Sequence, residues 1–134
     1  MQLSIIILNY KQKGLVKNCL KNILSLNLGL EYEIIVVDNN SSDGCTVMVK
    51  EEFPGVKIIA SKKNLGYAGG NNLGIKKARG KYILILNPDI TPLTNSIEEI
   101  YQFMENNPDC AIGGPKLLNP DRSTQISCCR FPKW

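Results

Sequence analysis

Tyr82-Ile83-Leu84-Ile85-Leu86-Asn87-Pro88-Asp89 is a short, wholly apolar run that breaks abruptly into turn chemistry. A run of this length with β-branched residues fits a strand covered on both faces. Proline has no N–H to give a sheet, and Asn and Asp bond readily to their own backbone, so the strand must end at Leu86. Upstream, Gly80 closes a helical stretch that runs through about Ala78. A helix feeding a buried strand is the unit from which parallel sheets are built.

The same unit recurs on either side. Ser4 to Leu8 is a second apolar run, ended by Asn9-Tyr10. Leu15, Val16, Cys19, Leu20, Ile23 and Leu24 then repeat at three- and four-residue spacing, which is one face of a helix. Glu33 to Val37 is another buried strand, running into Asp38-Asn39-Asn40-Ser41-Ser42-Asp43-Gly44, a turn that offers a helix N-cap. A short helix over Thr46 to Phe53 and a strand over Val56 to Ala60 follow. Asn64-Leu65-Gly66-Tyr67-Ala68-Gly69-Gly70-Asn71-Asn72 reads as a glycine-rich turn leading into the helix before Gly80. Beyond Asp89, Asn95 or Ser96 can cap a helix whose inner face is Ile97, Ile100, Tyr101 and Met104, and Ala111-Ile112 can begin one more strand. Alternation of this kind predicts the α/β class, with an open, Rossmann-like, mostly parallel sheet and helices on both faces.

Composition narrows the function classes. The 134 residues include 43% hydrophobic and 21% charged, the balance of one ordinary globular domain. A net charge of +4, spread along the chain, attracts anionic ligands without forming a nucleic-acid stripe. No histidine is present, which removes His-based triads and HExxH zinc chemistry. Five cysteines without a CxxC pair read as reduced thiols rather than a disulfide framework or a zinc site. No apolar run approaches the ~18 residues of a membrane span, and the first residues lack the basic start of a signal peptide. The expected location is cytoplasmic.

In an open parallel sheet, ligands sit beyond the carboxyl ends of the strands. Three of those ends are polar here: Asn9-Tyr10, Asp38-Asn39 and Asn87-Pro88-Asp89. Tyr10 offers an aromatic face to a base, and Asp38 an acceptor for an imide or a ribose hydroxyl. Glycines let a backbone approach a ligand, and a helix N-terminus favours negative charge. Asp89 is a hard oxygen ligand suited to Mg²⁺ or Mn²⁺ beside phosphates. Plainer readings stand beside each of these. Asp38 and Asp43 can be helix caps, the glycines turn punctuation, and Asn-Pro-Asp a turn, as its second copy Asn119-Pro120-Asp121 is read to be.

Taken together, these segments resemble the family 2 glycosyltransferases of the GT-A fold. The matching pieces are 5–10, 35–44, 64–72, 85–89 and Gly114-Pro115-Lys116-Leu117-Leu118-Asn119-Pro120-Asp121, in order and at the right spacing. Within that family the chain is similar to the rhamnosyltransferase-type enzymes of bacterial surface polysaccharide synthesis. The resemblance implies an inverting enzyme that moves a sugar from a UDP- or dTDP-linked donor to a hydroxyl of a saccharide or lipid-linked saccharide. Leu8, Asn9, Tyr10, Asp38 and Asn40 would surround the nucleotide. Asn64, Gly66, Gly69, Gly70 and Asn71 would lie along the donor, with Asn87 and Asp89 at the family's DxD position. There Asp89 would bind the divalent ion that bridges the phosphates. Residues 1–122 would form the nucleotide-sugar-binding domain, and 123–134 a tail or the start of an acceptor-binding part.

Two departures from that pattern carry consequences. Asn87 replaces the first carboxylate of DxD, and the family's general base falls beyond Trp134, so this stretch is expected to be a donor-binding half. The catalytic base therefore remains unknown. No nucleic-acid partner is expected, and peripheral contact with the inner face of a membrane is compatible with the reading. The competing classes are a dinucleotide-dependent oxidoreductase, a non-catalytic nucleotide-binding module and a nucleotidyltransferase. The first needs GxGxxG spacing, whereas the glycines here are 66, 69, 70 and 74. The last needs a glycine-rich basic loop after the first strand, and residues 9–14 hold one glycine.

Overall fold

The computed structural model describes residues 1–126. β1 (Leu3–Asn9) is one of two inner strands, its run of isoleucines apolar on both faces and both faces covered. It pairs in parallel with β2 (Tyr32–Asp38) on one side and β4 (Tyr82–Leu86) on the other. β3 (Lys57–Ala60) adds to β2, giving the sheet order β3-β2-β1-β4, every neighbour parallel. The register sets Asn9 opposite Asp38 and Ile7 opposite Leu86. The polar strand ends thus arrive at one level along the sheet.

Alternate residues of the strands feed two cores. Ile5, Ile7, Ile34 and Val36 pack against α1 (Lys13–Ser25), α2 (Cys45–Glu52) and α4 (Ser96–Asn106). Ile6, Ile35 and Val37 face the other way, under α3 (Gly66–Ile75). Helices therefore cover both faces, as the alternation predicts. In α1 the buried stripe is Val16, Cys19, Leu20 and Ile23, while Leu15 and Leu24 sit at its margins and are exposed. In α4 the buried pair is Ile97 and Tyr101, with the Tyr101 ring edge-on to Tyr82 at 5.6 Å. No helix among the described residues is long and apolar enough to cross a membrane.

Four local expectations change. The glycine segment is not a turn before a helix: it is the helix, and α3 begins at Gly66. A Cβ at Gly70 would lie 2.4 Å from Leu8 Cδ1, and one at Gly74 would lie 2.6 Å from Ile6 Cγ2. These glycines let α3 settle directly on β1. Gly80 does not cap that helix, which ends at Ile75; its backbone lies instead against β1. Ala111-Ile112 forms no strand, and Ile112 is 90% exposed. Two apolar residues followed by Gly113-Gly114-Pro115 are too few to pair, and proline lacks the donor. At the start of α4 neither Asn95 nor Ser96 caps through its side chain; the Ser96 hydroxyl donates back to the Leu93 carbonyl.

Candidate functional site

A cleft of about 390 Å³ opens at the carboxyl ends of β1, β2 and β4. β1 and the loop after it contribute Leu8, Tyr10 and Gln12, and the loop after β2 contributes Asn39. Asn64, Gly66 and Tyr67 come from the entry to α3. Asn87, Pro88 and Asp89 come from the end of β4. Tyr10 is 44% exposed, so one ring surface is open, and the Lys11 ammonium stands 5.5 Å from its ring centre. Across the cleft the Tyr67 hydroxyl donates to Asn87 Oδ1 at 3.0 Å. Asp89 also borders a hollow against α1 shared with Leu15, Asn18 and Lys21.

Behind the cleft wall, a buried polar network holds the loops. Asn9 Nδ2 donates to Asp38 Oδ1 at 3.1 Å and to the Ser41 hydroxyl at 2.9 Å. Asp38 also accepts from the Ser41 N–H and the Thr46 hydroxyl. Asp43 accepts the backbone N–H of Lys13 at 3.0 Å and of Cys45 at 2.9 Å, so one carboxylate caps the first turns of both α1 and α2. Asn39 does the same service for the next loop. Its Nδ2 donates to Asn64 Oδ1 and its Oδ1 accepts from the Leu65 N–H, both under 3 Å. The nearby thiols are held inert. Burial, reinforced by the Asp89 charge, pushes Cys19 up to about 11; burial and then Asp43 and Asp38 push Cys45 up to about 12.

Of the residues picked from sequence, Leu8, Tyr10, Asn64, Gly66, Asn87 and Asp89 meet in the cleft. Asn9 and Asp38 lie behind its wall, buried in the network just described. Gly70 and Asn71 are buried in α3, where Asn71 Nδ2 donates to the Tyr67 carbonyl; Gly69 and the exposed Asn40, at φ +62°, are not among the lining residues. Gln12, Asn39 and Tyr67 line the cleft without having been picked out. For Asn39 a signal existed: it directly follows the last strand residue, Asp38, and an amide can both donate and accept. Asp38→Ala should cost about 2 kcal/mol by urea unfolding, since it strips an acceptor from buried donors. Unchanged stability would show that the carboxylate is not what holds the loop.

Comparison with known proteins fits this geometry. Residues 4–125 match the family described as Glycosyl transferase family 2. A hexosyltransferase of low-salt glycan biosynthesis from Haloferax volcanii, Agl10, is 34% identical over 121 residues, 87% of this chain and 37% of the relative. Staphylococcus aureus TarS (residues 1–349), solved with UDP-GlcNAc, superposes with a TM-score of 0.69 at 22% identity, over 79% of this chain and 32% of that one. The mannosyltransferase PcManGT of Pyrobaculum calidifontis, solved with GDP-Man and Mn²⁺, gives 0.70 at 22% identity, over 77% and 32%. The chain thus spans about a third of the length of each of these matched chains. The parallel sheet with helices on both faces is the GT-A arrangement of these neighbours, and with nearly its whole length matched, the chain belongs to glycosyl transferase family 2.

Proposed function

We propose that this chain is the donor-binding part of an inverting glycosyltransferase that takes a UDP- or dTDP-linked sugar. The observation that carries the reading is the meeting of Tyr10, the first turn of α3 and Asp89 around one cleft. Tyr10 supplies an open aromatic face for the base. The Gly66 N–H is taken by Asn64 Oδ1, and the next N–H groups of α3's first turn, on Tyr67 and Ala68, favour the diphosphate. Asp89 is the one carboxylate among the described residues lining the cleft. No cluster of three metal-ligating side chains occurs among the described residues. The single Asp89 carboxylate would serve an ion of the Mg²⁺ or Mn²⁺ kind, which takes one or two carboxylates and completes its shell with water and substrate phosphate. Such an ion supplies positive charge against the leaving diphosphate.

In this reading Asp38 and Asn9 act through the loops they hold, and Asn40 lies in the loop that follows Asp38. Gly70 sets how closely α3 approaches the sheet under the donor, Gly69 leaves room for Leu65, and Asn71 ties back to the Tyr67 carbonyl. Residues 1–122 are the nucleotide-sugar-binding unit, and 123–134 a tail or the start of an acceptor-binding part. The acceptor is a hydroxyl of a saccharide or lipid-linked saccharide in surface polysaccharide synthesis, with a rhamnosyltransferase-type activity and a cytoplasmic site at the membrane face. The glycan-building relative and the UDP-GlcNAc and GDP-Man complexes of the neighbours support a nucleotide-sugar donor.

Calorimetric titration with UDP, dTDP and NAD in Mn²⁺ tests it. Saturable binding of UDP or dTDP is expected, with Asp89→Ala weakening it about tenfold or more at unchanged melting temperature. Saturable NAD binding without any response to UDP or dTDP would overturn the reading. Unchanged affinity of Asp89→Ala in Mn²⁺ would remove the metal role.

A further inference from the structure

Asn87 stands at the position of the first DxD carboxylate, and its amide oxygen is engaged by a neighbouring hydroxyl. Its Oδ1 accepts the Tyr67 hydroxyl proton at 3.0 Å, and both residues line the cleft beside Asp89. Amide oxygen and nitrogen diverge from one carbon, so fixing the oxygen toward Tyr67 turns the NH2 away from it. No described residue accepts from that NH2, which leaves two N–H donors in a cleft of otherwise mixed lining. An oxygen already holding a hydroxyl proton is a poor ligand for a hard cation, whereas an amide NH2 suits an anionic oxygen.

We infer that Tyr67 is a positioning residue that holds Asn87 as a hydrogen-bond donor to a non-bridging oxygen of the donor diphosphate, and not as a ligand of the metal ion. The inference rests on the donor-binding reading above. It divides the work at the end of β4 between two residues two positions apart. Asp89 makes the metal-dependent contact with the diphosphate, and Asn87 makes a metal-independent one. Tyr67 is 59% exposed, so its hydroxyl can be removed without disturbing a core.

The test is an NMR titration of the wild type, Tyr67→Phe and Asn87→Asp with UDP, dTDP and GDP in Mg²⁺ or in EDTA. Uridine serves as the control without phosphates. The Asn87 side-chain amide pair, assigned by its loss in Asn87→Asp, reports the contact directly. It is expected to shift on nucleoside diphosphate in EDTA, and not on uridine. Tyr67→Phe should weaken diphosphate binding by roughly three- to tenfold in Mg²⁺ and in EDTA alike. Asn87→Asp should weaken it most in EDTA, where a second carboxylate faces the phosphates, and recover in Mg²⁺. An Asn87 amide that does not move in EDTA, a Tyr67→Phe loss confined to Mg²⁺, or an equal loss for uridine would overturn the inference. If the wild type binds none of the three nucleotides, the donor-binding reading falls with it. If it binds and Tyr67→Phe changes nothing, only the inference falls.

Discussion

Glu33→Gln is expected to cost this domain about 2 kcal/mol at neutral pH and to flatten its acid unfolding. The carboxylate lies at the opposite end of the sheet from the cleft, with its side chain 7% exposed. Burial alone would raise it. The Lys57 ammonium at 2.6 Å, the Ser4 hydroxyl at 2.8 Å and the Arg79 N–H at 2.8 Å outweigh burial and hold it near 2, against an ordinary 4.5. A carboxyl depressed on folding stabilises the native state above its unfolded value, and that contribution drains away as pH falls from about 4.5 toward 2. The full shift corresponds to about 3 kcal/mol. Lys57 is 45% exposed, and solvent screening of that partner brings the figure to about 2 kcal/mol. Urea unfolding at pH 7 and pH 2.5 reads the effect. The wild type should lose markedly more stability than Glu33→Gln over that interval. Parallel losses in the two proteins would mean that other carboxylates carry the acid transition.

What could be read from the chain itself follows from how directly each residue type reports its surroundings. Ile5-Ile6-Ile7 and Ile34 to Val37 are apolar on both faces because helices cover both faces, so the runs state their own burial. Gly70 and Gly74 do not. A glycine has the same letter whether it bends a turn or admits a neighbouring side chain, and only the partner (Leu8 for Gly70, Ile6 for Gly74) tells which. Asp38 and Asn39 show the limit at the site. They are adjacent, but Asp38 ends β2 within the buried network, while Asn39 begins the loop and meets the cleft. Tyr67 was hidden by the same glycine segment: once α3 starts at Gly66, its first turn carries the ring to Asn87. Asn87 and Asp89 were legible because a strand end is the one place where an open parallel sheet gathers polar groups.

Gly80→Ala should be still more damaging than loss of the Glu33 charge, costing about 3 kcal/mol. A Cβ there would lie 2.4 Å from the Ser4 nitrogen, 2.6 Å from the Leu3 carbonyl carbon and 2.8 Å from the Tyr82 oxygen. All three are backbone atoms, so no side chain can swing aside, and two of them belong to β1. The Gly80 N–H also donates to the Ser4 hydroxyl at 2.8 Å, and that hydroxyl in turn donates to Glu33. Gly80, Ser4 and Glu33 are thus one node, and the two substitutions should not add when combined. Gly14→Ala is the control. Nothing lies within 4 Å of its added methyl in α1, and the helix should gain a few tenths of a kcal/mol. The consequence reaches the cleft through β4. Gly80 sets where that strand starts against β1, Leu3 facing Tyr82 and Ile7 facing Leu86, and so where Asn87 and Asp89 come to rest. Gly80→Ala protein that still folds should therefore bind nucleoside diphosphate weakly with or without metal, unlike Asp89→Ala, whose loss is confined to the metal-dependent part. Full binding in a folded Gly80→Ala protein would mean that β4 can shift at its start without moving the site.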